Sequence, residues 1–235
     1  VLSTLLQLYG LLGDRVEDPQ SLLVANTREQ AGIALQYATG IINHSQAFSS
    51  RLEPQRYSIK FKDPMKMGYS KTLASNSNRL DGYNPSMALV DECHAMNDHS
   101  IFNVIKSGTL SRENPLIILT STAGFSMDSL AFDLFENGKR CLNGDIKDDN
   151  FFYMLFSLDE GDDYQDTSNW IKSNPAIGQT LHIDDLISEW NQSKNLPTQK
   201  ENFLTKNLNL FLDQSDVWIP QDIVRQNFNE LNLDD

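Results

Sequence analysis

Residues 87–92 read Met87-Ala88-Leu89-Val90-Asp91-Glu92, a short apolar run that ends abruptly in two carboxylates. A continuous apolar run of this length is typical of a central strand that is covered on both faces of a parallel sheet. Ligands of such sheets bind outside the carboxyl ends of the strands, where the acidic pair would lie. A Walker B segment has this form, in which the first acid orients a magnesium shell and the second takes a proton from the attacking water. A solvated strand end is the alternative.

A second apolar run is followed by hydroxyl side chains. Residues 116–119 are Leu-Ile-Ile-Leu, which predicts another central strand, and Thr120, Ser121 and Thr122 come directly after it. Hydroxyls at this position can bond the γ-phosphate or its attacking water and report hydrolysis to the next element. They can also cap a helix that begins near Met127. Because the hydroxyls follow one strand after the acids, we expect the two sets to share a cleft.

The rest of the first 157 residues alternates between helical periodicity and short strands. Thr27 and Gln30 have the spacing of a capping box at the start of a helix. The alternation predicts a doubly wound α/β domain with a mostly parallel sheet over residues 1–157. Besides the runs above, the pattern predicts helices over 2–12, 31–42 and 127–141, and strands over 22–25, 57–61, 71–75 and 151–156.

Residues 158–235 differ in character and predict a small, mostly helical appendage. Apolar residues over 183–190 fall on one helix face, Thr198 opens a second capping-box pattern, and Pro220 suits the first turn of a last helix. We interpret the three tryptophans as core anchors of this appendage, because no basic run surrounds them: Trp170, Trp190 and Trp218.

The composition excludes several classes of protein. With 19 basic and 32 acidic residues the net charge is −13. This balance argues against a stand-alone DNA binder, since phosphate neutralisation supplies most non-specific DNA affinity. It leaves open a few lysines at one local contact. No apolar run is long enough to span a bilayer, and Cys93 and Cys141 lack the spacing of a zinc site.

Other catalytic arrangements have less support in the sequence. The four histidines are scattered and no G-x-S-x-G elbow is present. Asp91, Glu92 and His94 are poor metal ligands as a set, because their spacing on a strand end points them apart. Arg28 and Arg79 are candidates for facing a phosphate, with an ordinary surface position as the alternative.

Taken together, these stretches resemble the ATPase region of the large terminase subunit of tailed bacteriophages. The resemblance extends to Asn174-Pro175 and to residues 202–218, and so covers most of the chain. The stretches that carry it are Leu80-Asp81-Gly82, Asn84-Pro85, Leu89-Val90-Asp91-Glu92-Cys93-His94-Ala95 and Thr120-Ser121-Thr122-Ala123-Gly124.

The resemblance implies a P-loop ATPase fold and a role for each site residue. Asp91 would match the Walker B acid that holds Mg²⁺ through water, and Glu92 the catalytic carboxylate. Thr120, Ser121 and Thr122 would match the coupling motif that links hydrolysis to movement. The family uses ATP to package viral double-stranded DNA into a procapsid through a portal protein. The implied partners include the small terminase subunit and other copies of the chain in a ring. The expected location is the cytoplasm of the infected bacterium, with no membrane association.

The sequence departs from the family pattern in two places. It contains no G-x-x-x-x-G-K-[ST] loop, which we expect immediately before Val1 together with its strand, and it offers no carboxylate cluster for the family's separate nuclease domain. We therefore expect residues 1–235 alone to hydrolyse ATP poorly. Two alternatives stay open: a helicase-like translocase, which would need a second motor domain, and a non-catalytic remnant or interaction module.

Overall fold

The computed structural model describes residues 2–75, 82–96 and 99–212, and of Arg28 only the backbone. The chain divides into two compact units, Val1–Ser121 and Thr122–Asp235. The predictions that involve Arg79, Trp218, the helix after Pro220 and the Leu80-Asp81 pair lie outside the described residues.

The first unit is built on a six-stranded sheet in the order β2-β3-β4-β1-β5-β6. β4, β1, β5 and β6 are mutually parallel, whereas β3 pairs antiparallel with β4 and β2 antiparallel with β3. The mostly parallel sheet that the sequence predicts is therefore confirmed. Its elements are α1 Leu2–Leu12, β1 Gln20–Ala25, α2 Arg28–His44, α3 Gln46–Ser49, β2 Leu52–Pro54, β3 Ser58–Phe61, β4 Tyr69–Ala74, β5 Met87–Asp91, a 3₁₀ helix Cys93–Ala95, α4 Ser100–Gly108 and β6 Leu116–Thr120.

The helices of this unit pack closely on the sheet. A Cβ atom on Gly10 of α1 would lie 2.7 Å from the sulfur of Met87, so a larger residue there would force the Met87 side chain to shift. Thr4 on the same helix donates its hydroxyl hydrogen to the carbonyl of Ala34 on α2 at 3.1 Å. Behind β2 and β3, the two helices and the strands share one cluster of buried side chains: Leu8, Leu11, Leu35, Ala38, Ile42, Leu52 and Ile59.

The regular elements of the second unit are all helices among its described residues, and long irregular segments connect them. A buried cluster holds it together, in which Trp170 lies 5.3 Å from the ring of Phe203, and Phe203 lies 5.3 Å from the ring of Trp190. The prediction that Trp170 and Trp190 anchor this core is confirmed. Its elements are α5 Leu130–Leu142, a 3₁₀ helix Thr167–Ile171, α6 Ile183–Ser193 and α7 Pro197–Lys206.

Three local predictions are wrong. The described residues 151–156 form no strand, and their side chains alternate between half-buried and exposed. β6 is a half-exposed strand at the edge of the described sheet rather than a central one. Thr198 lies inside α7, which begins at Pro197 after an uncapped Leu196, so no second capping box forms. The first two outcomes reflect the tertiary surroundings of the segment, whereas the third follows from Pro197, which starts the helix one residue before Thr198.

The two compact units meet in the chain at Ser121 and Thr122. The sequence placed its boundary between residues 157 and 158, which assigns α5 to the first domain. That boundary stays a prediction about domain organisation. No helix among the described residues combines the length and the apolar character needed to cross a membrane.

The capping box at the start of α2 offers a test of the fold. The Thr27 hydroxyl accepts from the amide of Gln30 at 3.2 Å, and the Gln30 side chain accepts from the amide of Thr27 at 3.3 Å. We expect Thr27→Ala to lower the free energy of unfolding by about 1 kcal/mol, because it leaves a helix amide without its acceptor. Urea denaturation followed by far-UV circular dichroism measures the change. Thr27→Ser keeps the hydroxyl and is the control, and equal losses in both variants would contradict a capping role.

Candidate functional site

The acidic strand end and the hydroxyl strand end lie side by side. β5 and β6 are parallel neighbours, and their register places Asp91 directly opposite Thr120. The Thr120 hydroxyl donates to Asp91 Oδ1 at 2.7 Å. This pair therefore lies side by side, and the expectation that the acids and the hydroxyls share a cleft stays a prediction.

Glu92 turns the chain sharply at the end of β5. Its φ of 56° and ψ of 47° lie in the left-handed region, which is uncommon for a residue that is not glycine. Its amide donates to Asp91 Oδ1 at 3.1 Å, so one oxygen of Asp91 accepts from both Thr120 and Glu92. Asp91 is therefore the last residue of β5, and Glu92 is the first residue of the turn that follows it. Strained backbone of this kind is concentrated at functional sites.

His94 joins the acidic turn to Ser121. Its amide donates to Ser121 Oγ at 2.9 Å, and its ring Nδ1 lies 3.0 Å from the same oxygen. Nδ1 also lies 3.1 Å from Glu92 Oε2. Because a carboxylate only accepts hydrogen bonds, this contact requires the proton on Nδ1. His94 therefore bridges the second acid and the second hydroxyl, so the expectation that Glu92 and His94 point apart is wrong, because the left-handed turn at Glu92 replaces a regular strand end.

Cys93 packs beneath this turn and is only 2% exposed. Burial raises the pKa of its thiol above the ordinary value of 9.0, and the charges of Glu92 and Asp91 act in the same direction. The hydrogen bond with Ser121 opposes this change. The thiol is therefore a packing group at neutral pH, and the site does not have the electropositive, exposed surroundings of a nucleophilic cysteine.

A further polar pair lies at the carboxyl ends of β1 and β4. The Ser75 hydroxyl lies 3.2 Å from the backbone carbonyl of Asn26 and 3.3 Å from its side-chain oxygen. Asn26 directly precedes the capping Thr27 of α2. β1 and β4 are parallel to β5 and β6, so this pair marks the same end of the sheet as Asp91 and Thr120.

The donors at this end of the sheet suit a hard cation that takes few protein ligands. Asp91 offers a carboxylate and Thr120 a hydroxyl, and both are half-buried. Mg²⁺ is usually bound through one or two carboxylates, with water and substrate phosphates as its other ligands. Across residues 2–75, 82–96 and 99–212, no group of three or more His, Cys, Asp or Glu side chains could hold a metal by itself.

The sequence matches the model of a known protein family. The model for the ATPase domain of the terminase large subunit matches residues 1–140, which is more than half of the chain. The chain belongs to the terminase large subunit ATPase family.

Individual relatives agree with this family. The chain is 31% identical over 131 residues to protein YmfN of Escherichia coli K12, covering 56% of this chain and 29% of YmfN. It is 25% identical over 190 residues to the terminase large subunit of Lactococcus phage p2, covering 80% of this chain and 34% of that protein. The large terminase of bacteriophage HK97 has a similar fold, with a TM-score of 0.75 at 19% identity over 89% of this chain and 43% of that one. The chain described here thus spans about a third or less of the length of these two relatives, and under half of the HK97 terminase structure.

A second family model, for the terminase endonuclease domain, matches residues 145–233. Residues 158–233 of this stretch fall in the predicted helical appendage, and residues 145–157 fall in the predicted ATPase core. Residues 145–212 contain α6 and α7 and, as far as they are described, no metal-binding cluster. The match relates this stretch to the family's second domain.

The remaining candidates have different outcomes. Thr122 belongs to the second unit of the terminase chain, where Lys206 donates to its hydroxyl at 3.3 Å. The helix-cap alternative for residues 120–122 is wrong, because the cap of α5 is Ser129. Arg28 lies in the first turn of α2, but its side chain and the whole of Arg79 lie outside the described parts of the chain. Their proposed phosphate contacts stay predictions.

Asn174, part of the resembling Asn174-Pro175 pair, has a structural role. Its side-chain amide donates to the backbone carbonyl of Asn207 at 2.7 Å and to that of Trp170 at 3.3 Å. It thereby fastens the end of α7 to the tryptophan core of the second unit. These two hydrogen bonds account for asparagine at position 174 by its structural role.

The two cysteines of the terminase chain should react differently. At about pH 8 we expect iodoacetamide to modify Cys141 faster than Cys93, because Cys93 is buried and its raised pKa keeps it as the thiol. Mass spectrometry of timed samples measures the two rates. In urea both should react at similar rates, and faster labelling of Cys93 in the native protein would contradict this environment.

The raised pKa of Cys93 also makes the free energy of unfolding depend on pH. The folded chain holds the Cys93 proton more tightly than the unfolded chain does. The resulting stabilisation is present below the unfolded pKa and is lost as the pH rises through the folded pKa.

Proposed function

We propose that this chain is the ATPase motor part of a phage terminase large subunit, which drives viral double-stranded DNA into the procapsid. The observation that carries the proposal is the 2.7 Å hydrogen bond between Thr120 and Asp91 at the carboxyl ends of adjacent parallel strands. Phosphoryl transfer needs an acid for the metal and a positioned base at this end of an α/β sheet. The membership of residues 1–140 in the ATPase family supports the same chemistry.

We assign a different role to each of the two acids according to its position. Asp91 would hold the water shell of Mg²⁺, and the ion would supply charge stabilisation for the transferring phosphoryl group. The Oδ1 atom of Asp91 is occupied by the Thr120 hydroxyl and the Glu92 amide, and these two bonds fix the carboxylate plane. Glu92 orients the attacking water and accepts its proton. The contact of Glu92 Oε2 with His94 Nδ1 restrains the rotamer of this carboxylate.

The hydroxyl residues connect the hydrolytic site with the rest of the chain. Thr120 touches the first acid, and Ser121 touches His94, which in turn touches the second acid. Thr122 is the first residue of the next compact unit. A change in the hydrogen bonds of the acids on hydrolysis therefore acts directly on the segment that leaves the first unit. This continuity supports a coupling role for Thr120, Ser121 and Thr122.

The proposed partners follow from the packaging function. They are double-stranded viral DNA, the portal protein, the small terminase subunit and further copies of the same chain in a ring, in the cytoplasm of the infected bacterium. A helicase-like translocase would share the acids and hydroxyls but would need a second motor domain. A non-catalytic interaction module would retain the fold without needing Glu92.

The role of Glu92 can be tested in the full-length natural polypeptide that contains residues 1–235. We expect Glu92→Gln to reduce ATP turnover by at least about 100-fold, the lower end of the usual contribution of a general base. ATP binding should stay close to that of the unchanged protein, because the amide has nearly the same shape and no contact of Asp91 is removed. Phosphate release measures turnover, and fluorescent-nucleotide titration measures binding.

Glu113→Gln is the matched control, since it makes the same change at an exposed position of the same unit. It should leave turnover unchanged. If Glu92→Gln retained turnover, Glu92 would lose its role as base. If no form of the polypeptide hydrolysed ATP, the interaction-module alternative would be favoured.

Residues 1–235 by themselves should bind ATP weakly and hydrolyse it poorly. Their sequence has no G-x-x-x-x-G-K-[ST] loop, whose backbone amides and lysine cradle the phosphates of a bound nucleotide. Isothermal titration with Mg-ATP measures the affinity. Tight, magnesium-dependent binding by these residues alone would contradict this part of the proposal.

A further inference from the structure

The positive charge of this acidic chain is concentrated in one short stretch. Residues 51–71 contain six basic and two acidic side chains, whereas the rest of the chain contains thirteen basic and thirty acidic ones. Such a local excess is not expected from the average charge of −13. It falls on β2, β3, the loops beside them and the first half of β4.

Five of these cations are exposed and lie on or beside β2 and β3, and we term this group the basic edge: Arg51, Arg56, Lys60, Lys62 and Lys66. Among the described residues, none of the five forms an ion pair. Lys66 lies over the ring of Phe61 at 5.3 Å, and Arg56 over the ring of Tyr57 at 5.0 Å. The sixth cation, Lys71, is half-buried and donates to the Tyr83 hydroxyl at 2.8 Å, so it is not part of this surface.

Two like charges lie opposite each other on this edge. β2 and β3 are antiparallel, with Leu52 paired to Phe61, and the Lys62 amide continues the ladder by donating to the Arg51 carbonyl at 2.9 Å. The same register brings Arg51 opposite Lys62. Like charges directly opposite on neighbouring strands are destabilising. The same register sets Lys60 opposite Glu53, so the repulsion belongs to the Arg51–Lys62 pair, and an anionic partner would offset it.

Protection of a sheet edge explains only part of this pattern. β2 is the outermost strand on its side, and charged residues and proline on an edge strand prevent pairing with another chain. Lysine is the charge most used for that purpose, and Glu53 and Pro54 of β2 also contribute to it. Edge protection therefore does not require five cations of one sign in a chain whose other charges are mostly acidic.

We propose that the basic edge contacts the phosphates of double-stranded DNA. This inference rests on the proposed function, which makes DNA the substrate of the motor, and it names the surface through which the chain touches it. A DNA backbone is a dense row of negative charge, and each lysine or arginine that neutralises a phosphate releases counterions. Five exposed cations without ion pairs match that chemistry, and the acidic remainder of the chain confines the contact to this face.

The salt dependence of DNA binding tests this assignment, in the same full-length polypeptide and without ATP. We expect the triple variant Arg51→Gln, Lys62→Gln, Lys66→Gln to reduce the slope of log affinity against log salt by up to about 2.7, since each phosphate contact contributes about 0.9. Fluorescence anisotropy with a short labelled duplex, between about 50 and 200 mM salt, measures the slope.

A triple variant of equal charge change, outside both the basic edge and residues 145–233, provides the control: Lys106→Gln, Lys139→Gln and Arg140→Gln. It should leave the slope unchanged. Far-UV circular dichroism checks the fold of both variants, and relief of the Arg51–Lys62 repulsion should not destabilise the first one.

Each other outcome overturns the proposal. Equal changes in both variants would mean that total charge, rather than this face, sets DNA affinity. An unchanged slope combined with reduced self-association, measured by light scattering, would identify an acidic surface of a second copy as the partner. Because hydrolysis is measured separately with Glu92→Gln, loss of this assignment leaves the proposed ATPase function intact, and loss of that function is visible in the hydrolysis assay.

Discussion

The parallel pairing of β5 with β6 is the constraint on which the candidate site depends. A parallel ladder fixes which residues stand side by side, and here it sets Asp91 opposite Thr120. A side-chain hydrogen bond of 2.7 Å then joins the ends of the two strands. Shifting the pairing by one residue would turn the opposing side chain to the other face of the sheet. The site therefore follows from strand register more than from the identity of any one side chain.

The left-handed conformation of Glu92 gives two adjacent acids different surroundings. Asp91 completes the strand and is held by a hydroxyl and an amide, whereas Glu92 begins the turn and meets His94. A regular strand would separate their side chains only by sending them to opposite faces of the sheet. The turn keeps both near the strand end, and the following residues bring the His94 amide and ring to Ser121. A short, locally strained segment thus joins four functional groups that a straight strand would disperse.

The sequence predicts the parts of this fold that local chemistry determines, and it fails where neighbours decide. The capping box at Thr27 is encoded by two residues three apart, and it forms as predicted. The run after Leu116 has the composition of a buried strand, yet β6 stays at the edge and half-exposed among the described residues. Thr198 has the spacing of a cap, but Pro197 starts the helix because its fixed φ and missing amide suit the first helical position. The contact of His94 with Glu92 and Ser121 depends on the left-handed φ and ψ of Glu92, which the residue types alone do not predict.

The distribution of charge follows the division of the chain into units. Val1–Ser121 contain eleven basic and eleven acidic residues, whereas Thr122–Asp235 contain eight and twenty-one. The net charge of −13 therefore belongs to the second unit, and the first is neutral on average. Within the first unit the acids include Asp91 and Glu92 at one end of the sheet, while five exposed cations lie on or beside β2 and β3. The net charge of the whole chain affects solubility and long-range repulsion. Contact with a polyanion is decided over about a Debye length, roughly 10 Å at moderate salt, and over that distance the basic edge has the opposite sign to the chain.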